Sequence, residues 1–261
     1  MALPKQFTLF LVTPPEQAQR AAQYGLIGAQ LAYHIGNGPH LFRTQGTLTR
    51  SGGILVAHHS GFDGRGEAEP LCQEVIRECT ARGYQGVFLD FEGRPFPVLR
   101  RAVEQLGPAF QRRGWTLYVP EEYITACPSV KAVISTALSG GSLKQRLGQV
   151  TEKLGPQRVV LGLEWVAEDF TLPAPEGAGV HLSQEELDRL LEQRSPAVYF
   201  DEELCAHYFT YMHTGQSAHF VLYDNPSSMV KKLAIAHALG IQEGFLPLPE
   251  RERYLQTLLK E

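Results

Sequence analysis

Two carboxylates stand two residues apart in Gly86-Val87-Phe88-Leu89-Asp90-Phe91-Glu92-Gly93, at the end of an apolar run. Extended backbone sends alternate side chains to opposite faces, so Phe88, Asp90 and Glu92 share one face while Val87, Leu89 and Phe91 share the other. Like charges crowded at a half-buried strand end raise the pKa of one acid and leave the other ionised. That is what a general acid and an electrostatic partner require. The competing assignment is structural, with the acids capping a helix or meeting Arg94. A third acid, Glu164, follows Val160-Leu161-Gly162-Leu163. It is either a nucleophile facing Glu92 or half of an ion pair with a nearby Arg or Lys.

Such residues act together only if the chain brings several strand ends to one place. Short runs rich in β-branched and aromatic residues recur, each followed by apolar positions at helical spacing, the pattern of a parallel α/β sheet. They cover residues 7–12, 29–35, 53–58, 86–91, 116–119, 132–136, 159–163 and 244–246. Eight is the number that closes a barrel. Pro14-Pro15, Pro97 and Pro226 open helices, and Gly83, Gly114 and Gly240 follow their ends, in keeping with the asymmetry of helix termini. Residues 36–52 read as a long loop over the active face. Residues 166–225 read as an insertion holding a Pro/Gly stretch, a helix over 183–193, and two β-like runs, 206–212 and 219–222, joined by His213-Thr214-Gly215-Gln216 as a hairpin. The expected architecture is one α/β domain over 1–261, a (β/α)8 TIM barrel with a small β-hairpin insertion after strand 7. In such barrels the chemistry sits at the C-terminal strand ends, where Asp90, Glu92 and Glu164 fall.

Composition narrows the classes. With 261 residues, 43% hydrophobic and 20% charged, the chain can bury a substantial core, which excludes disordered, collagen-like and disulfide-scaffold proteins. The formal charge is -4, from 24 basic and 28 acidic residues, and no basic block exceeds a pair such as Arg112-Arg113. Nucleic acid therefore has no electrostatic support as a partner. No run approaches the ~20 apolar residues of a membrane span, and Met1-Ala2-Leu3-Pro4-Lys5-Gln6 leads straight into a strand without a signal-peptide core. The expectation is a chain without a membrane partner, cytoplasmic unless a leader has been removed. Cys72, Cys79, Cys127 and Cys205 form no C-x-x-C pair, which argues against a zinc cluster or redox centre. His58-His59 near Asp63 lacks a spacing that demonstrates a metal site. The glycine-rich stretch from Gly61 to Gly66 opens no phosphate-binding helix, so neither metal nor cofactor is expected.

Tyr84-Gln85-Gly86-Val87-Phe88-Leu89-Asp90-Phe91-Glu92 resembles the fourth-strand signature of glycoside hydrolase family 18, D-x-x-D-x-D-x-E, with Asp90 and Glu92 at its last two acidic positions. Residues 158–165 are similar to that family's seventh strand. Tyr208-Phe209-Thr210-Tyr211 with residues 219–225 is similar to the insertion of its bacterial spore and cell-wall branch, and residues 223–244 to its last helix and strand. The resemblance covers roughly the C-terminal two-thirds of the chain. It implies retaining hydrolysis of a β-linked N-acetylglucosamine polymer by substrate assistance, an exception to the two-carboxylate scheme. Glu92 would protonate the leaving oxygen and Asp90 would orient the acetamide that attacks the anomeric carbon. The implied partner is an amino-sugar glycan such as bacterial peptidoglycan or chitin, and the implied location is the spore or cell wall.

Three departures leave the mechanism open. The first two acidic positions are Gln85 and Phe88, Ser135-Thr136-Ala137-Leu138 stands where the family has Met-x-Tyr-Asp, and Phe245-Leu246-Pro247-Leu248 stands where it has a tryptophan. One alternative pairs Glu92 as acid with Glu164 as nucleophile, carboxyls that lie ~5–5.5 Å apart in retaining enzymes of that layout. Another is a degenerate barrel that binds glycan without cleaving it. A third is an unrelated cytosolic barrel enzyme, marked by a phosphate site at strands seven and eight. Trp165 and Tyr123 are candidates to stack on sugar rings, although aromatic side chains also build cores. Tyr33 and Tyr118 are candidates to replace the missing tyrosine. Glu121 and Glu122 follow the fifth strand, and Glu122 joins the candidate binding set.

Overall fold

The computed structural model describes residues 7–44, 51–173, 179–212, 217–248 and 252–259. Thr8–Thr13 forms β1 and Ile27–Gly36 forms β2; His40–Arg43 is β3, Ile54–His58 β4, Gly86–Asp90 β5, Thr116–Pro120 β6, Val130–Ser135 β7 and Val159–Gly162 β8. Five strands of the insertion follow, β9 (Ala167–Leu172), β10 (Val180–His181), β11 (Tyr199–Asp201), β12 (Ala206–Met212) and β13 (Ala218–Tyr223), before Glu243–Pro247 supplies β14. Parallel pairing runs β1-β14-β8-β7-β6-β5-β4-β2 and closes through β1–β2. This is a closed (β/α)8 barrel. Its helices are α1 (Ala18–Ala22), α2 (Ala68–Arg82), α3 (Pro97–Gln111), α4 (Leu143–Leu154), α5 (Gln184–Arg194) in the insertion, α6 (Pro226–Ala238) and α7 (Glu252–Leu259). Among the described residues no helix is long and apolar enough to cross a membrane.

Alternation sorts each barrel strand into two cores. Phe10, Val12, Ile54, Val56, Phe88 and Tyr118 point inward with Phe245. Phe245 stacks on Phe10 at 4.8 Å and on Phe88 at 4.7 Å, while Tyr118 meets it edge-on at 4.9 Å, so the interior is packed and not a pore. The outward faces meet the helices. Leu99, Val103, Leu106 and Phe110 of α3, all fully buried, make the apolar stripe that a period of 3.6 residues predicts.

Two connections differ from expectation. The segment after β2 is not a bare loop, because β3 pairs antiparallel with β2 from Tyr33↔Arg43 to Gly36↔His40; residues 45–50 of that expected loop lie outside the described residues. Gly38 of this hairpin bridges to Gly66. A Cβ on Gly66, whose φ is +109°, would stand 2.0 Å from the Gly38 carbonyl oxygen, so the contact demands glycine. The insertion is also more than a hairpin. β12 and β13 pair antiparallel at the centre of a five-stranded sheet ordered β10-β9-β13-β12-β11. Their connecting residues 213–216, and residues 174–178 of the Pro/Gly stretch, lie outside the described residues.

A buried ion pair fastens the insertion and α6 to the barrel. Lys232, 1% exposed, reaches Asp224, 0% exposed, with Nζ 2.7 Å from Oδ2. Lys232 also donates to the Thr136 carbonyl at 3.0 Å, while Asp224 accepts the Val166 amide at 2.9 Å and the Ser228 hydroxyl at 2.6 Å. Removing one partner leaves the other charge buried, at a cost of about 3–5 kcal/mol, whereas replacing both with apolar residues of similar volume costs far less. Asp224→Leu is therefore expected to lose about that much stability in urea denaturation, and the double variant with Lys232→Met to recover most of it. A double variant as unstable as the sum of the single ones contradicts this account.

Candidate active site

β5 ends at Asp90, which stands half-buried above the Phe88 ring on the inward face. The alternation continues one residue past the strand. Phe91 turns outward and is buried against Tyr123 at 5.0 Å and His59 at 5.0 Å, leaving Glu92 exposed at the mouth. Asp90 and Glu92 line two adjoining hollows. One, about 320 Å³, runs under the ends of β6, β7 and β8 and takes in Glu122, Ser135 and Glu164. The other, about 640 Å³, lies toward β4 and takes in His58, His59, Arg94 and Phe96. The two acids form the ridge between them.

Burial in the barrel mouth pushes the Asp90 carboxyl up to about 6, with the nearby charges of Glu92 and Glu164 adding to the rise. The charges acting on Asp90 are both acidic, so no Arg94 cation holds its carboxyl. Glu164 accepts the Ser135 hydroxyl at 2.8 Å, and among the described residues no ion pair to it is seen. On the β4 side burial lowers the pKa of both His58 and His59; the charge of Glu92 opposes the shift in each, and His34 adds to it at His58. Neutral imidazoles thus face Glu92 near pH 7. Among the described residues no three His, Cys, Asp or Glu side chains converge as a metal-holding group.

No family model matches the chain, and no curated protein matches it in sequence. Solved structures do match. The spore cortex-lytic enzyme SleL of Bacillus cereus superposes with a TM-score of 0.72 at 17% identity, covering 97% of this chain and 74% of that one. A chitinase from Chromobacterium violaceum gives 0.69 at 13% identity, with 97% and 98% covered. A family GH18 chitinase from Cycas revoluta, solved with allosamidin, gives 0.66 at 12% identity, again with 97% and 98% covered. The chain has the glycoside hydrolase family 18 fold.

Within this family 18 fold, three aromatic candidates lie elsewhere than expected. Tyr33 is 1% exposed in the outer core, where its hydroxyl donates to Glu78 at 2.8 Å and lies 3.2 Å from that of Tyr84. The cause is a register shift in β2 between Leu31 and Tyr33, which sends Leu31 inward and Tyr33 outward although they stand two positions apart, a spacing that regular alternation keeps on one face. Tyr118 does point inward, but its hydroxyl faces Thr116 and Glu243 at the N-terminal end of the barrel. Tyr123 is buried as well. Its hydroxyl accepts the Phe96 amide at 2.9 Å and its ring holds Phe91, so it braces the loop that carries Glu92 instead of presenting a face to a ligand. Trp165 is half-buried against the apolar layer that contains Leu163 and Met229. Glu122 lines the β6–β8 hollow. Arg146, which also lines it, was not anticipated because it comes from α4 and carries no strand-end signal. It pairs with Glu121, which Lys153 also approaches at 3.7 Å.

The raised carboxyl has a measurable cost. Asp90 keeps its proton in the folded chain at pH values where the unfolded chain has lost it, so stability falls as pH rises from about 4 to about 6. Asp90→Asn removes that charge. After allowing for water at the mouth, the variant is expected to be ~1–2 kcal/mol more stable than the parent at pH 7 and no more stable near pH 3, as read by urea denaturation. Loss of stability at pH 7 would contradict the assignment.

Proposed function

We propose that this protein is a glycoside hydrolase acting on an N-acetylglucosamine-containing glycan such as peptidoglycan or chitin, with Glu92 as the general acid. The observation that carries this reading is the pair Asp90 and Glu92, set side by side at the end of β5 in a family 18 barrel and open to a hollow on each side. Glu92, further out, reaches the glycosidic oxygen, and Asp90, deeper and protonated up to about pH 6, faces the sugar ring below it. The SleL enzyme among the structural neighbours is described as spore cortex-lytic, and the Cycas revoluta chitinase has also been solved in complex with (GlcNAc)3. These descriptions support a carbohydrate partner and an association with the spore or cell wall.

The attack on the anomeric carbon has two routes. In one the substrate acetamide attacks, oriented by Asp90; in the other Glu164, which lines the same hollow, is the nucleophile. A non-cleaving glycan binder is favoured by one observation, that the hydroxyls of Tyr33, Tyr118 and Tyr123 are all engaged away from the hollow.

Incubation with chitooligosaccharides and peptidoglycan fragments separates these readings. Glu92→Gln is expected to lower kcat by ~10²–10⁴ while leaving binding intact, the range that loss of a general acid gives. Comparable loss in Glu164→Gln assigns the nucleophile to the protein, and loss in Asp90→Asn with Glu164→Gln active assigns it to the acetamide. Binding without turnover in the parent overturns the enzymatic reading.

A further inference from the structure

One face of the inserted sheet meets α5, where Phe209, Tyr211 and Val221 pack with Leu187, Leu190 and Leu191. The register sets Asp169 opposite Val221 and Tyr211 opposite His219, so Asp169, Tyr211 and His219 share that face. Ser217 stands two residues before His219, just ahead of β13. None of these residues lines either hollow at the barrel mouth.

The Ser217 hydroxyl lies 3.1 Å from Nε2 of His219, and Nδ1 of His219 lies 2.9 Å from Oδ1 of Asp169. Tyr211 donates its hydroxyl to the other oxygen of that carboxylate at 2.6 Å. A carboxylate only accepts, so the proton of the neutral ring sits on Nδ1 and Nε2 is left as the acceptor for the serine hydroxyl. Asp169 thereby fixes the tautomer. The Tyr211 ring, stacked on His219 at 4.7 Å with 19° between planes, fixes the plane of the imidazole. The imidazole and the carboxylate are 15% and 13% exposed, while Ser217 is half-buried. Through Asp169, the bonds to Tyr211 and His219 tie β9 to β12 and β13. The serine bond joins residues two apart on one segment and ties no further strand. What it does is set a hydroxyl against a base that a carboxylate already holds, within the ~2.6–3.2 Å at which a base activates a nucleophile.

We propose that Ser217, His219 and Asp169 form a second catalytic site, on the inserted sheet, that hydrolyses carboxylic esters with a short acyl group. It is separate from Glu92 and does not rest on the glycan reading. Ser217 Oγ attacks the ester carbonyl carbon while His219 Nε2 takes the hydroxyl proton. The tetrahedral intermediate then breaks its bond to the alkoxide oxygen, which leaves with that proton as the alcohol. Water, giving a proton to Nε2, attacks the acyl carbon; the bond to Ser217 Oγ breaks, Nε2 returns the proton to the serine, and a carboxylic acid is released. Asp169 and Tyr211 are positioning residues, since they act through the imidazole. An ester suits the arrangement because an alkoxide leaves more readily than an amide nitrogen. A short acyl group suits it because the serine sits at the start of a strand, where the acyl group needs no enclosing pocket.

The test uses the full chain, a fluorophosphonate that labels activated serines, and p-nitrophenyl acetate. Peptide mass spectrometry is expected to find the phosphonyl group on Ser217 of the folded chain and not of the chain unfolded in urea. Ser217→Ala is expected to lower ester turnover by ~10² or more, and His219→Gln to lower both turnover and labelling. Asp169→Asn, which reverses the tautomer, is expected to lower kcat by ~10-fold or more with KM unchanged, a split that a merely structural role does not give. The labelling is read on the parent, so it decides the matter even where a variant fails to fold. An unlabelled Ser217, equal labelling of the unfolded chain, or turnover equal in the parent and Ser217→Ala overturns the site. None of these outcomes bears on Glu92.

Discussion

The contact between Lys232 and Asp224 settles where the ends of β7 and β8 lie, and the rest of the candidate site follows from those ends. Lys232 takes the Thr136 carbonyl and Asp224 takes the Val166 amide, so one buried pair holds the chain just past each strand. The Thr136 amide in turn donates to the Gly162 carbonyl at 2.9 Å. Ser135 and Glu164 sit inside this frame, and the hydrogen bond between them is its product. Two desolvated charges are tolerable in such a place only when their remaining hydrogen-bonding capacity is met, which Ser228 helps to do. The pair also joins β13 to α6, and so makes the inserted sheet part of the barrel rim.

The other half of the site is braced differently. Glu92 and its loop are held by apolar and amide contacts, with Phe91 set against Tyr123 and the Tyr123 hydroxyl taking the Phe96 amide. Beneath Asp90 the stacked rings of Phe88 and Phe245 close the barrel interior. A packed floor and a braced loop carry the like charges at the mouth. The electrostatic cost falls on the site, and the packing that offsets it lies below and behind.

Much of this was legible in the sequence. The eight barrel strands announced themselves as apolar runs with helical spacing between them, and Asp90, Glu92 and Glu164 stood out because each ends such a run. What escaped notice lacks a local signal. The bulge in β2 changes no residue type yet reverses the facing of Tyr33. Tyr118 points inward with its hydroxyl at Thr116 and Glu243, and alternation gives the side of a strand and not the direction in which a long side chain leans along it. β3, β10 and β11 have four, two and three residues, too few for a period of two to show. Arg146 enters from a helix, and strand-end reasoning does not look there.

Phe88 gives the departures from the family pattern a physical meaning. In the signature that the sequence resembles, its position is acidic and part of a chain of carboxylates behind the equivalent of Asp90. Here it is an aromatic ring in the barrel interior, 8% exposed and stacked on Phe245. Asp90 therefore stands over an apolar floor, and its raised pKa arises first from burial and then from Glu92 and Glu164 beside it. Desolvation disfavours the charged form whatever lies nearby, whereas a shared proton needs a second acid in line. A carboxyl held near neutrality is thus obtained by a different physical route. That route makes Asp90 depend on the packing of the floor, so that the Phe88 and Phe245 rings become part of its chemistry although neither carries a proton.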